Sequence, residues 1–194
     1  DYAMQMYEKR KDKYDLEDPI YVAPENWNHQ FYGSHPDEYK EIIENARDEF
    51  ENRLEQRGMS EDEAKDKAQT HIQGTLDIGH MNTFRDRFER KEGEEIEDYE
   101  ERFNEWLLDE TKELVEDGYV GHIHLNDNFG YEDEHVTPGE GNAPMMEFLK
   151  NLEEEGMDDI IVEQGSFNDE AHLETLSKAN TPVYGSQRRQ RFNK

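Results

Sequence analysis

A parallel α/β protein is the fold class this sequence predicts, and three observations lead there. Short runs of β-forming residues alternate with longer stretches of helical period, strand then loop then helix, four times along the chain. The apolar residues, although only 32% of the total, fall into those periodic runs. Residues able to ligate a metal ion collect at the carboxyl ends of the strand-like runs, which in a (β/α) barrel converge on one face.

Each element has its own signal. Tyr2 to Leu16 reads as an exposed helix ending before Asp18-Pro19. Ile20-Tyr21-Val22-Ala23, bounded by prolines, reads as a buried strand with Glu25 just past its end. After a polar and aromatic loop, His35-Pro36-Asp37 opens a helix to about Arg57, with Tyr39, Ile42, Ile43, Ala46, Phe50 and Leu54 at helical spacing and Gly58 as its stop. Ser60-Glu61-Asp62-Glu63 matches a capping box, so a further helix is expected to about Thr70. Gly74 to Ile78 is the second strand. Helix follows from about Glu94 to Asp117, capped by Gly118. Tyr119 to Leu125 is the third strand, then comes a loop rich in Asn, Asp and Gly. Pro144 to Glu155 is helical, Asp159 to Glu163 is the fourth strand, and a last helix runs from about Asn168 to Ala179. With no internal repeat or low-complexity linker, residues 1–194 read as one domain, ending in a tail that turns basic from about residue 186.

Composition narrows the partners. The chain carries 50 Asp+Glu against 22 Lys+Arg, a formal net charge of -28, so nucleic acid and anionic membrane are disfavoured for the surface as a whole. Its 2 Trp, 10 Tyr and 9 Phe argue for a packed core in spite of the low apolar fraction. Acidic residues spread along the whole length, with scarce lysine, predict a halophilic protein whose self-repulsion is screened by concentrated salt. No run approaches 18 apolar residues, the start at Asp1 carries no basic-then-apolar leader, and there is no cysteine; the expectation is a cytoplasmic protein in a reducing compartment. A beginning other than Met suggests a fragment.

Glu25, Asp77 with His80, His124 and Glu163 stand at or just beyond the four strand ends, and Asp133 and His135 lie in the loop after the third. Carboxylates and imidazoles converging in this way are the ligand set of Zn²⁺, Mn²⁺ or a similar divalent ion. A single acid among 50 is ordinarily solvated surface, whereas coincidence at four successive strand ends is hard to explain that way. In His122-Ile123-His124 the two imidazoles share a strand face, with Asp127 and Asn126 placed to orient them from a second layer. His29, His35, His71 and His172 sit in polar or helical contexts that assign them no role. Pro138-Gly139-Glu140-Gly141 reads equally as a tight turn or a substrate-binding one.

These motifs carry a resemblance. His122-Ile-His-Leu-Asn-Asp-Asn128, Asp133-Glu-His135 and Pro138-Gly-Glu-Gly141, with Leu76-Asp-Ile-Gly-His80 upstream and Ile161-Val-Glu163 downstream, resemble the xylose-isomerase-like TIM barrels, the sugar phosphate isomerases and epimerases together with endonuclease IV. The resemblance covers roughly residues 17–185 and implies a (β/α) barrel of which only the C-terminal four β/α units are present. It implies that Glu25, Asp77, His124 and Glu163 hold one divalent ion (Mn, Zn, Mg or Co), that Glu25 and Glu163 double as acid and base, and that His80, Asp133 and His135 serve substrate binding or a second metal. The implied substrate is a small sugar or sugar phosphate. A barrel needs eight strands, so a missing N-terminal half or a second copy is expected to complete it. The alternatives are an endonuclease IV-like zinc phosphodiesterase and a non-catalytic metal-binding remnant; two departures stand against the first, since its two further histidines in the N-terminal half have no counterpart and its Asp-Arg-His triplet is here Asp133-Glu134-His135. Free-ketose epimerases often have an arginine a few residues beyond the strand histidine, where this chain has Phe129-Gly130-Tyr131.

Overall fold

The computed structural model describes residues 1–157 and 160–163, with residues 165, 173 and 177 beyond them. Helices α1 (Tyr2–Tyr14), α2 (Pro36–Gln56) and α3 (Glu61–His71) precede strand β1 (Gly74–Asp77); a short helix α4 (Ile78–Asn82) and a 3-10 turn (Thr83–Asp86) lead to α5 (Ile96–Glu116), β2 (Val120–Leu125), α6 (Met145–Glu154) and β3 (Ile160–Val162). The three strands form one parallel sheet in the order β1-β2-β3. The last expected helix, apart from Leu173 and Ser177, and the basic tail lie outside the described residues.

Local signals account for most of these elements. Pro36 occupies the first turn of α2, and the His35 ring accepts from the Asp37 amide. The capping box of α3 forms as the sequence predicts, Ser60 and Glu63 satisfying each other's backbone amides. In α5, Phe103, Leu107 and Leu114 fall on one stripe and are fully buried. That stripe, Tyr39 and Ile43 of α2, and Phe148 and Leu152 of α6 pack against Leu76, Ile123 and Leu125 of the sheet. Each such side chain removed from water contributes roughly 1.5–3 kcal/mol. A smaller cluster of Phe50, Leu54, Ala64 and Ala68 joins α2 to α3.

Two expectations are corrected. Residues 20–23 are not a buried strand: Val22 is 58% exposed, and residues 22–25 run beside residues 72–75 through isolated parallel bridges, Val22 to Ile72 and Glu25 to Thr75. The ladder breaks at Pro24, which accepts from the Thr75 amide but has no N–H to return. Second, β1 ends at Asp77 and not at Ile78, because Asp77 caps α4 by accepting the His80 amide, turning the chain into a helix at the position of the expected strand end.

The register of β2 decides which residues face the site. A bulge between the Gly74–Val120 and Thr75–His122 pairs shifts the alternation at Gly121. Val120, Ile123 and Leu125 therefore all join the helix-side core, while His122 and His124 share the opposite face, their rings 5.1 Å apart. Glycine is required here, since a Cβ would stand 2.4 Å from Gln73 Oε1 and 2.7 Å from the Tyr21 ring.

Candidate metal centre

Glu25 follows the edge segment, Asp77 ends β1, His124 lies near the end of β2 and Glu163 follows β3, so three strands and the edge segment deliver one residue each. One donor atom from each lies within 4.8 Å of the other three. His124 Nδ1 is 2.9 Å from Glu25 Oε1 and 3.4 Å from Glu163 Oε1. His80, Asp133 and His135 make a second group of the same tightness, with Asp133 Oδ2 at 3.1 Å from His80 Nε2 and 3.0 Å from His135 Nε2. His80 stands between the two groups, its Nδ1 3.7 Å from Glu25 and 3.8 Å from Asp77.

The surroundings orient these groups. His80 Nδ1–H donates to the Asn26 carbonyl and His135 Nδ1–H to the Glu163 carbonyl, which leaves both Nε2 atoms turned to Asp133. His135 adopts this pose at a positive φ of 50°. The Nε2 of His124 meets Nε2 of His122 at 3.3 Å, and His122 is in turn within reach of Thr75 and Tyr21. Asp77, fully buried, accepts from the His80 amide and from the Asn126 side-chain amide. Asn126 itself lies over Gly79, where any Cβ would collide with it.

Electrostatics follow from the crowding. Burial, together with Glu25 and Asp133 nearby, pushes the Asp77 carboxyl up to about 6. Burial opposes the charged form of His80, yet its bond to Asp133 and the charge of Asp77 outweigh it and raise the imidazole to about 9. Burial acts against ionised Asp133 too, but its two histidine partners hold it below the ordinary carboxylate value.

These residues fit a divalent ion. Two ligands at about 2.1 Å from one ion, 90–110° apart, lie about 3.0–3.4 Å from each other, which matches the contacts of His124 Nδ1 with Glu25 and Glu163. Oxygen-rich sites with one imidazole suit Mn²⁺, Mg²⁺, Zn²⁺ or Co²⁺. In the second group, Asp133 Oδ1 is buried without a hydrogen-bond partner, a donor left for a cation.

The profile of the family described as xylose isomerase-like TIM barrel matches residues 13–181. The chain belongs to that family. A stretch of 40 residues is 50% identical to an uncharacterized protein of Methanocaldococcus jannaschii, covering 21% of this chain and 14% of that protein. A solved structure, a D-tagatose 3-epimerase-like protein, is similar at 23% identity and a TM-score of 0.47 over 91% of this chain and 52% of its own. The chain therefore spans about half the length of that structure and a smaller share of the archaeal relative.

Not every expected residue takes the expected place. Among the described residues Asp127 bonds to no imidazole; its carboxylate accepts the backbone amides of Asn128, Gly139, Gly141 and Ala143 and so folds the loop after β2, the Pro138–Gly141 turn included. Asn26, which the sequence reading passed over, exchanges two hydrogen bonds with the backbone of Asp77 and receives His80. Its one sequence signal is its position directly after a strand-end acid. Arg85, buried, ties Asn82, Asn104, Asn142 and Glu100 together behind the site. A cavity of about 490 Å³ lined by His29, Phe31, Phe84, Phe88 and Trp106 lies on the flank and shares no residue with either ligand group. Among the described residues no helix is long and apolar enough to cross a membrane.

Proposed function

We propose that this chain is part of a divalent-metal-dependent sugar or sugar phosphate isomerase/epimerase in which Glu25 and Glu163 transfer the proton. The observation that supports this most directly is the position of His124 Nδ1 between the two glutamates, at 2.9 and 3.4 Å, with Asp77 beside them. Glu25, Asp77, His124 and Glu163 would hold the ion, and a divalent ion there supplies the polarisation of a carbonyl and its neighbouring hydroxyl that makes the α-proton removable. Glu25 and Glu163, arriving from opposite edges of the strand set, reach the reacting carbon from two sides, so one removes the proton and the other returns one. His80, joined to both ligand groups, touches the substrate or a second ion together with Asp133 and His135. Residues 1–194 act as one partial domain, and the four strand segments require a further half-barrel, from an N-terminal half or a second copy, to enclose the substrate.

A second reading, an endonuclease IV-like phosphodiesterase, is favoured by the His80-Asp133-His135 group. Glu134 within that triplet and a net charge of -28 oppose a nucleic acid backbone. The test is deuterium incorporation from heavy water into a panel of ketoses and ketose phosphates, with metal content measured alongside. Glu25→Gln and Glu163→Gln are expected to keep the fold and much of the metal while losing about 10²–10⁴-fold in exchange rate. One bound ion with exchange supports the isomerase; two or three ions, no exchange and phosphodiester cleavage would establish the second reading instead.

A further inference from the structure

Trp27 is 48% exposed although it is an indole next to the two ligand groups. Its ring lies against His80, centroids 5.1 Å apart, and Phe31 abuts it edge-on at 6.2 Å. The segment that bears it is clamped: Asn26 is tied to Asp77 and His80 on one side, and the Trp27 amide donates to Ser34 on the other. A half-exposed aromatic ring on a clamped segment is preorganised for a ligand, since ordering it costs little further entropy on binding.

The charge around it selects the ligand. Among the described residues the ion pairs of Glu25, Asp77, Asp133 and Glu163 are all with histidines and none is with lysine or arginine. Arg85, the nearest arginine in sequence to His80, is committed to Glu100 and three asparagines. Among the described residues Glu25, Asp77, Asp133 and Glu163 have only imidazoles and a bound dication as counter-charges, a setting less favourable to a phosphate dianion than to a neutral polyol. A sugar's C–H face carries the weakly positive edge that an indole face attracts.

We propose that Trp27 is the stacking wall of the substrate subsite and that the substrate it receives is an unphosphorylated sugar. This rests on the sugar-isomerase reading of the site, so the experiment lets the two fail separately. The sequence has two tryptophans, and Trp106→Phe leaves Trp27 as its lone tryptophan, excited selectively over the 10 tyrosines at the red edge of the absorption band. The Mn²⁺-loaded protein, assembled with the half-barrel that completes it, is titrated with D-fructose, D-tagatose, D-xylulose and L-ribulose, and with D-fructose 6-phosphate and D-xylulose 5-phosphate. Calorimetry on Trp27→Ala and Trp27→Phe in the otherwise unchanged chain runs in parallel with the deuterium-exchange assay.

The expected result is a saturable change in Trp27 emission with at least one free ketose and none with the phosphates. Affinity for that ketose falls about tenfold in Trp27→Ala and less than about threefold in Trp27→Phe. Exchange that proceeds with Trp27 emission and the Trp27→Ala affinity unmoved overturns the stacking role and leaves the isomerase reading intact. An emission change without exchange on any sugar keeps the subsite and removes the isomerase. Tighter binding of a phosphate than of its free ketose overturns the substrate class, and no response of any kind overturns both proposals.

Discussion

Replacing Asp77 by asparagine separates the cost of the ligand group from its use. The carboxyl is fully buried and pushed up to about 6, against an ordinary 3.8. A carboxyl raised in the folded state favours folding where it is protonated, so its penalty is absent below about pH 4, grows from there to pH 6 and is complete at pH 7. The interval from 3.8 to about 6 corresponds to about 3 kcal/mol. Part of this is forfeited in the variant: the amide keeps one of the two bonds Asp77 accepts, from the His80 backbone and from Asn126, and turns a donor toward the other. It also withdraws a charge that supports protonated His80. The net expectation for Asp77→Asn at pH 7 with chelator is a gain of about 1–2 kcal/mol, or roughly 2–8 °C in Tm for a chain of this size. With 1 mM Mn²⁺ the order reverses, because the parent gains binding free energy that the variant has lost. Thermal unfolding with EDTA and with Mn²⁺, at pH 5 and pH 7, reads all of this, and the advantage of the variant shrinks at pH 5. A variant less stable than the parent by the same amount with and without metal would refute the reasoning and make Asp77 a structural hydrogen-bond acceptor.

Two further outcomes are expected. Stability rises with salt, because the Debye length falls from about 10 Å at 0.1 M to about 3 Å at 1 M and the net charge is -28; unfolding midpoints in 0.1 M and 2 M KCl that coincide would contradict the halophilic reading. Asp127→Ala strands four loop amides and is expected to destabilise by about 2–4 kcal/mol in urea, with hydrogen exchange accelerated across residues 128–143 while the spacing of His122 and His124 on β2 is kept.

What the sequence by itself determined is what local chemistry determines. Pro36 after His35, the Ser60–Glu63 box and the apolar stripe of α5 each act within a turn or two of chain, and each element forms where those signals stand. Metal-capable residues at successive strand ends were equally legible, because a parallel sheet with helical crossovers brings those ends to one side whatever the details of packing. Tertiary structure decided the rest. The edge segment at residues 20–23 has the composition of a buried strand, but burial depends on a neighbour on both sides and pairing on a donor that Pro24 lacks. Asp127 and Asn126 are adjacent in sequence and opposite in work: one folds a loop through backbone amides, the other holds Asp77, and only the course of residues 128–143 against α4 tells them apart. The same holds for Asn26 and Trp27, whose contacts with Asp77 and His80 span more than fifty residues of chain. The bulge at Gly121 is the clearest case, since strand alternation predicts that His122 and His124 share a face but the face they take depends on a one-residue shift against β1, and a shift of one residue turns a strand's side chains from core to site.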